Sequence, residues 1–199
     1  MEYVLIIIFV ILIIYFIFLK YGDIVTFKSD LDDKYYVIRR GNKDEKYLKE
    51  SVNILSEINK RIEKLINHLD MNFKNSSKYY FIKKLKDNYS SSVLSEAAID
   101  SRYTTYTINK QEMHICLRTR DINEDIYDIN LLMYVVLHEL AHLCNYDKNG
   151  YPIQGHGEEF RMIFKFLLTE SIKIGIYEYE NYNKSPKEYC GIYLSSSIL

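Results

Sequence analysis

The run Leu131-Leu132-Met133-Tyr134-Val135-Val136-Leu137, followed at once by His138-Glu139-Leu140-Ala141-His142, constrains this chain more than any other stretch. Apolar residues at every one of those first positions leave no polar stripe for solvent, so a helix built on them is buried on all sides. Two imidazoles and a carboxylate then follow on the same helix. Buried polar groups without partners are costly, so the fold has to bring them something to bind. Side chains at i and i+4 lie one turn apart on one helix face, which lets His138 and His142 reach a single ion. Zinc takes neutral imidazole nitrogens at about 2.0–2.1 Å, and a catalytic site uses three protein ligands with an open position for water. Glu139 stands about 100° around the helix from His138. It can approach a metal-bound water without being a ligand itself, the place of a general base. So short a motif arises by accident often enough that its surroundings have to agree.

They do agree. Asp147 to Pro152 is loop chemistry, with Gly150 and Pro152 as breakers. After it comes Gln154-Gly155-His156-Gly157-Glu158-Glu159-Phe160, a histidine between two glycines just ahead of another helical run. Glycine on both sides lets the backbone turn sharply and present His156 to the first helix. Three of the five histidines thus fall between positions 138 and 156. Glu158 and Glu159 suit a helix N-terminus electrostatically, and either offers a rival third ligand. His68 reads as a surface residue and His114 as a strand residue. Cys190 and Cys144 are minor candidates for the metal; Cys144, two residues after His142, should point away from the metal face.

His138-Glu139-Leu140-Ala141-His142, a short loop, and then Gly155-His156-Gly157 with Phe160 three residues on resembles the zinc peptidases of the SprT-like and WLM type. The resemblance covers about residues 100–175. It implies an α+β, zincin-like single domain with a small antiparallel sheet, an active-site helix and a second ligand-bearing helix. It implies zinc held by His138, His142 and His156, with Glu139 in catalysis and Phe160 as a packing residue. In such peptidases the strand before the active-site helix is the edge on which an extended substrate lies, which points to Glu112–Arg118. A fainter likeness, running through Tyr189-Cys190-Gly191, is to small uncharacterised membrane-anchored proteins of large DNA viruses.

The rest of the chain frames that centre. Tyr3 to Leu19 is an unbroken apolar run ending at Lys20. About 17 residues at 1.5 Å each give roughly 26 Å, the short end of a membrane span. Glu2 stands where a signal peptide wants a basic residue, and no small-x-small site follows, so residues 1–20 read as an uncleaved single-pass anchor. Lys20, Lys28, Lys34, Arg39 and Arg40 come after it, which by the positive-inside rule puts the catalytic domain in the cytosol. Residues 21–43 read as a juxtamembrane tether with a candidate strand at Tyr35–Ile38, and residues 44–199 as the peptidase domain. Cys116, Cys144 and Cys190 are odd in number and show no paired spacing, so they imply no disulfide framework.

From Asp44 to Leu69, apolar residues recur every three or four positions, the mark of a long amphipathic helix. Lys78–Lys86 suggests a short helix, and Val93–Ile99 another. Arg102–Ile108 and Glu112–Arg118 are rich in β-formers and flank a polar turn, the pattern of a hairpin. The Tyr-rich tail from Tyr177 is expected to pack back over the site helices. Net charge is −1, so no basic surplus points to nucleic acid.

Together these features point to a membrane-anchored, Zn2+-dependent peptidase that hydrolyses a peptide or protein substrate through a zinc-bound water activated by Glu139. The alternative is a non-catalytic, zinc-stabilised binding module tethered to the membrane. The intact Glu139 speaks against it, because a structural zinc site needs no base and closes with a fourth protein ligand.

Overall fold

A computed structural model describes residues 3, 6–13, 24–41, 43–98 and 104–199. Helix α1 (Glu45–Phe73) is the spine. Asp44 caps it by accepting a hydrogen bond from the Tyr47 amide at 2.9 Å. Its apolar stripe, from Leu48 and Val52 through Leu55, Ile58, Ile62 and Leu65 to Leu69, is buried along its whole length. Helix α2 (Tyr79–Asn88) adds Phe81, Ile82 and Leu85 to the same core.

Two strands precede the spine: β1 (Ile24–Lys28) and β2 (Tyr35–Arg39) pair antiparallel. Alternation along β2 sends Tyr36 and Ile38 into the core, while Tyr35 and Val37 face out. A three-stranded sheet follows, made of β3 (Leu94–Glu96), β4 (Tyr106–Ile108) and β5 (Glu112–Ile115) in the order β3-β5-β4. The expected hairpin is β4 and β5, antiparallel with Thr107 opposite Met113. Helix α3 (Ile129–Cys144) and helix α4 (Glu158–Lys173) pack against each other, and a terminal hairpin of β6 (Lys187–Tyr189) and β7 (Ile192–Leu194) closes the chain. The tail does return to the body: Tyr182, Tyr189 and Cys190 are buried. The architecture is mixed α+β with small sheets.

Four expectations need correction. The single-pass anchor, and with it the membrane localisation and the cytosolic placement, is overturned, because no helix among the described residues is long and apolar enough to cross a membrane. Residues 4, 5 and 14–19 of the apolar run lie outside the described residues.

The helix expected at Val93–Ile99 does not form over its described residues: Val93 ends a one-turn 3-10 helix (Ser91–Val93), and Ile99 lies outside them. Leu94–Glu96 is a strand running parallel to β5, with Leu94 opposite Met113 and Glu96 opposite Ile115. Tertiary contacts override the local pattern there. Arg118, fully buried, donates from Nε to Glu96 Oε1 at 2.7 Å and from Nη2 to Glu96 Oε2 at 2.8 Å, a forked pair. The same Nη2 reaches the Arg39 carbonyl at 2.6 Å, and Glu96 also accepts from the Arg39 amide at 2.8 Å. This buried cluster ties the first hairpin to the sheet.

The substrate-edge assignment also moves. Glu112–Arg118 supplies the middle strand, and β4 forms the edge on the side away from β3. Finally, Cys116 and Cys190, 74 residues apart, are joined as a disulfide with Cα atoms 6.4 Å apart. The fold brings together what sequence spacing kept separate.

Candidate active site

Helix α3 starts firmly. Asp128 caps it, accepting from the Asn130 amide at 2.9 Å and the Leu131 amide at 3.2 Å. From Leu131 to Leu137 every side chain is buried, so the helix is locked in rotation before it reaches His138. The loop after it is built to return. The Asp147 carboxylate accepts from the amides of Asn149 (2.9 Å) and Tyr151 (2.8 Å), and the Ile153 amide bonds back to the Asn145 carbonyl at 2.9 Å. Gly155 then takes a positive φ of 77°, a region open to glycine at little cost, and the chain turns His156 over α3.

Three imidazoles converge as a result. His142 Nε2 lies 3.0 Å from His156 Nε2, which lies 3.1 Å from His138 Nε2. Each offers a ligand atom within 4.8 Å of the others. Three nitrogens around one zinc at 2.0–2.1 Å in tetrahedral geometry would stand about 3.3 Å apart, so the donor set fits that ion. Phe160, on the first turn of α4, backs the cluster with ring centroids 4.3 Å from His142, 4.7 Å from His156 and 4.9 Å from His138. His156 itself sits just ahead of α4, whose first residue is Glu158, so the second helix supports the third imidazole without carrying it.

Burial sets the charge states in the metal-free chain. It pushes His138 down to about 3, helped by the neighbouring His142 and His156. It pushes His142 down to about 4, with His156 and Lys110 adding to the effect. Both rings are therefore neutral at pH 7, with lone pairs to give. Glu139 is only 4% exposed, and burial lifts its carboxyl to about 7 against the opposing hydrogen bond from Thr107. Thr107 Oγ1 donates to Glu139 Oε2 at 2.7 Å.

The rival ligands are placed elsewhere. Glu159 accepts from the Tyr80 hydroxyl, and neither Glu158 nor Glu159 joins the histidine cluster. His68 pairs with Glu170 at 2.9 Å, and His114 lies between Ser95 (2.8 Å) and Glu112 (3.1 Å) on the sheet. Cys144 is buried, its Sγ directed at the Leu140 carbonyl 3.1 Å away, and burial pushes its thiol up to about 12. Cys190 is tied to Cys116.

The imidazoles and Glu139 line a cleft of about 450 Å³. One side is the β4 segment with Thr105 and Thr107; the other is the terminal hairpin with Tyr189, Ile192 and Leu194; Tyr134 and Val135 of α3 lie between. Sequence reasoning missed three of its polar residues. Thr107 holds the carboxylate, as above. Lys110, nearly buried, donates to the carbonyls of His142 (2.5 Å) and Ile153 (3.3 Å), clamping the loop that carries His156 to the end of α3. Tyr189, 1% exposed, has its hydroxyl 2.5 Å from Thr105 Oγ1. No short motif flags Thr107 or Lys110, and Tyr189 stands in the Tyr189-Cys190-Gly191 likeness without a role in the cleft.

An α+β fold that gathers three imidazoles and a carboxylate in one cleft has the make-up of a zinc-metalloprotease-type domain. Residues 62–184 match the SprT-like family, and the chain belongs to that family. It is 37% identical over 175 residues to the uncharacterized protein R325 of Acanthamoeba polyphaga mimivirus, a match covering 86% of this chain and 83% of that protein. It is 40% identical over 91 residues to the uncharacterized protein 042R of Invertebrate iridescent virus 3, covering 44% of this chain and 50% of that one. Among solved structures, the crystal structure of Wss1 from Saccharomyces cerevisiae is similar over 69% of this chain and 87% of that one, with a TM-score of 0.49 and 16% identity. The likeness to proteins of large DNA viruses thus holds.

Proposed function

We propose that this chain is a zinc-dependent peptidase that hydrolyses peptide bonds in a peptide or protein substrate, its catalytic unit spanning residues 44–199. His138, His142 and His156 are the zinc ligands and Glu139 is the catalytic base. The observation that carries it is the convergence of three imidazole nitrogens beside a buried carboxylate in one open cleft. Zinc bound there supplies Lewis-acid polarisation of the scissile carbonyl and lowers the pKa of water.

The chain's own residues do the rest. The low pKa values of His138 and His142 keep their lone pairs free for the metal at neutral pH. Glu139 takes the proton from the attacking water on Oε1 and delivers it to the leaving nitrogen. Substrate lies extended along β4. Among the described residues no strand pairs with the outer side of β4, so its backbone can add a peptide strand whatever the substrate's side chains. Tyr134, Val135, Ile192 and Leu194 give the cleft apolar wall against which substrate side chains can pack.

The test is a broad peptide-cleavage screen of the purified chain with metal analysis alongside. About one zinc per chain is expected, with cleavage lost to a chelator and restored by zinc. A chain that holds zinc and cleaves nothing in the screen would speak for a binding module.

A further inference from the structure

A general base works only if one oxygen is held toward the water while the carboxylate does not swing. On α3 the sequence neighbours of Glu139 are His138 and Leu140, and the residues one turn before it are Val135 and Val136, which carry no side-chain donor. The hold on Glu139 comes from the sheet instead. Thr107 Oγ1 donates to Oε2 at 2.7 Å, across 32 residues of sequence.

The strand explains why that hydroxyl is available. Successive side chains along β4 alternate between faces, so Tyr106 and Ile108 lie on the face opposite Thr107. Tyr106 stacks on His114 there, with ring centroids 4.8 Å apart. Thr107 pairs with the buried Met113 and faces α3. Its branched β-carbon restricts χ1, which fixes the direction of the hydroxyl better than serine would. A hydroxyl has one proton, and here it goes to Oε2, which leaves Oε1 unconstrained by Thr107.

We propose that Thr107 is a positioning residue for catalysis: its hydroxyl pins Glu139 Oε2 so that Oε1 faces the attacking water. It thereby links the strand on which substrate lies to the group that moves the proton. This rests on the peptidase reading of the same site.

The test compares Thr107→Val, which keeps the shape and removes the donor, with Thr107→Ser, which keeps the donor. A hydrogen bond to a charged group accounts for a factor of roughly ten to a hundred. In Thr107→Val, kcat should fall by that factor while KM and zinc stoichiometry stay near wild type; Thr107→Ser should recover most of kcat. In the Glu139→Gln background, Thr107→Val should cost little more, because both changes remove one unit of function. A second readout needs neither metal nor turnover. The side-chain carboxyl carbon of Glu139, seen by NMR in the metal-free chain and assigned by its loss in Glu139→Gln, should shift in Thr107→Val and hold in Thr107→Ser. Thr107→Ala stands in should the valine variant not fold.

Wild-type kcat in Thr107→Val, a serine variant as impaired as the valine one, or an unmoved carboxyl signal would each overturn the proposal. Should the wild-type chain hold zinc and cleave nothing, the peptidase reading fails, and the carboxyl signal alone decides whether Thr107 holds Glu139.

Discussion

The floor of the cleft and its rim are put together in different ways. The floor is α3, the return loop and the first turn of α4. His142 and His156 meet across 14 residues, His138 and His156 across 18. The rim is β4 and the terminal hairpin, and its contacts are long: Thr107 to Glu139 spans 32 residues, Cys116 to Cys190 spans 74, and Thr105 to Tyr189 spans 84. Floor chemistry is set by helical spacing and one glycine turn, both local properties of the chain. Rim chemistry exists only after the sheet and the tail have docked. A floor residue should therefore govern whether metal binds, and a rim residue should govern stability and rate with the metal still in place.

The sharpest way to break this contrast is at the floor. His138→Ala or His142→Ala leaves two imidazoles where a catalytic zinc site uses three protein ligands. Metal content should fall from about one zinc per chain to near none, read by elemental analysis of the purified variants. Full stoichiometry in either variant would remove the ligand assignment.

At the rim, Cys190→Ser removes the link between β5 and the terminal hairpin. Opening a closed loop of this size costs about 4 kcal/mol in the chain-entropy account. Denaturant unfolding should show a loss of that order, with zinc stoichiometry unchanged. Metal lost together with stability would mean that floor and rim are not separable.

A smaller effect, of opposite sign, joins the two regions at Glu139. Its carboxyl is raised from 4.5 to about 7 in the folded, metal-free chain. A raised pKa gives stability that is fully present below pH 4.5 and is lost as pH rises through 7. The metal-free Glu139→Gln variant should thus be more stable than wild type at pH 8, by on the order of 3 kcal/mol. The difference should vanish below pH 4.5. Equal stability at both pH values would show that the carboxylate is not paying a desolvation cost.

The same division explains what could be read from the chain. The stripe Leu48 to Leu69 is periodic, and it became α1; the apolar run before His138 became a buried helix; two glycines marked the turn at His156. Each rests on neighbours within a few turns. Leu94–Glu96 reads as helix because nothing nearby announces Arg118, which reaches Glu96 only through the fold. The edge strand cannot be read from the sequence, because the order of strands in the sheet, β3-β5-β4, is not their order in the chain. Thr107 looks like any other β-branched strand residue until α3 is laid across it. The Cys116–Cys190 bond has no spacing signature at all. In Tyr3–Leu19, composition alone suggests a span, and no helix among the described residues is long and apolar enough to make one.

Glu139→Gln tests the central claim most directly. The exchange keeps the shape and all three imidazoles, yet it removes the group that accepts the proton. Cleavage should be measured on a substrate found in the screen, with wild type and variant at equal zinc content and equal thermal stability under the assay conditions. The account predicts a fall in kcat of about 10²–10⁴-fold with zinc retained. A Glu139→Gln protein that holds zinc, folds and cleaves at the wild-type rate would contradict it.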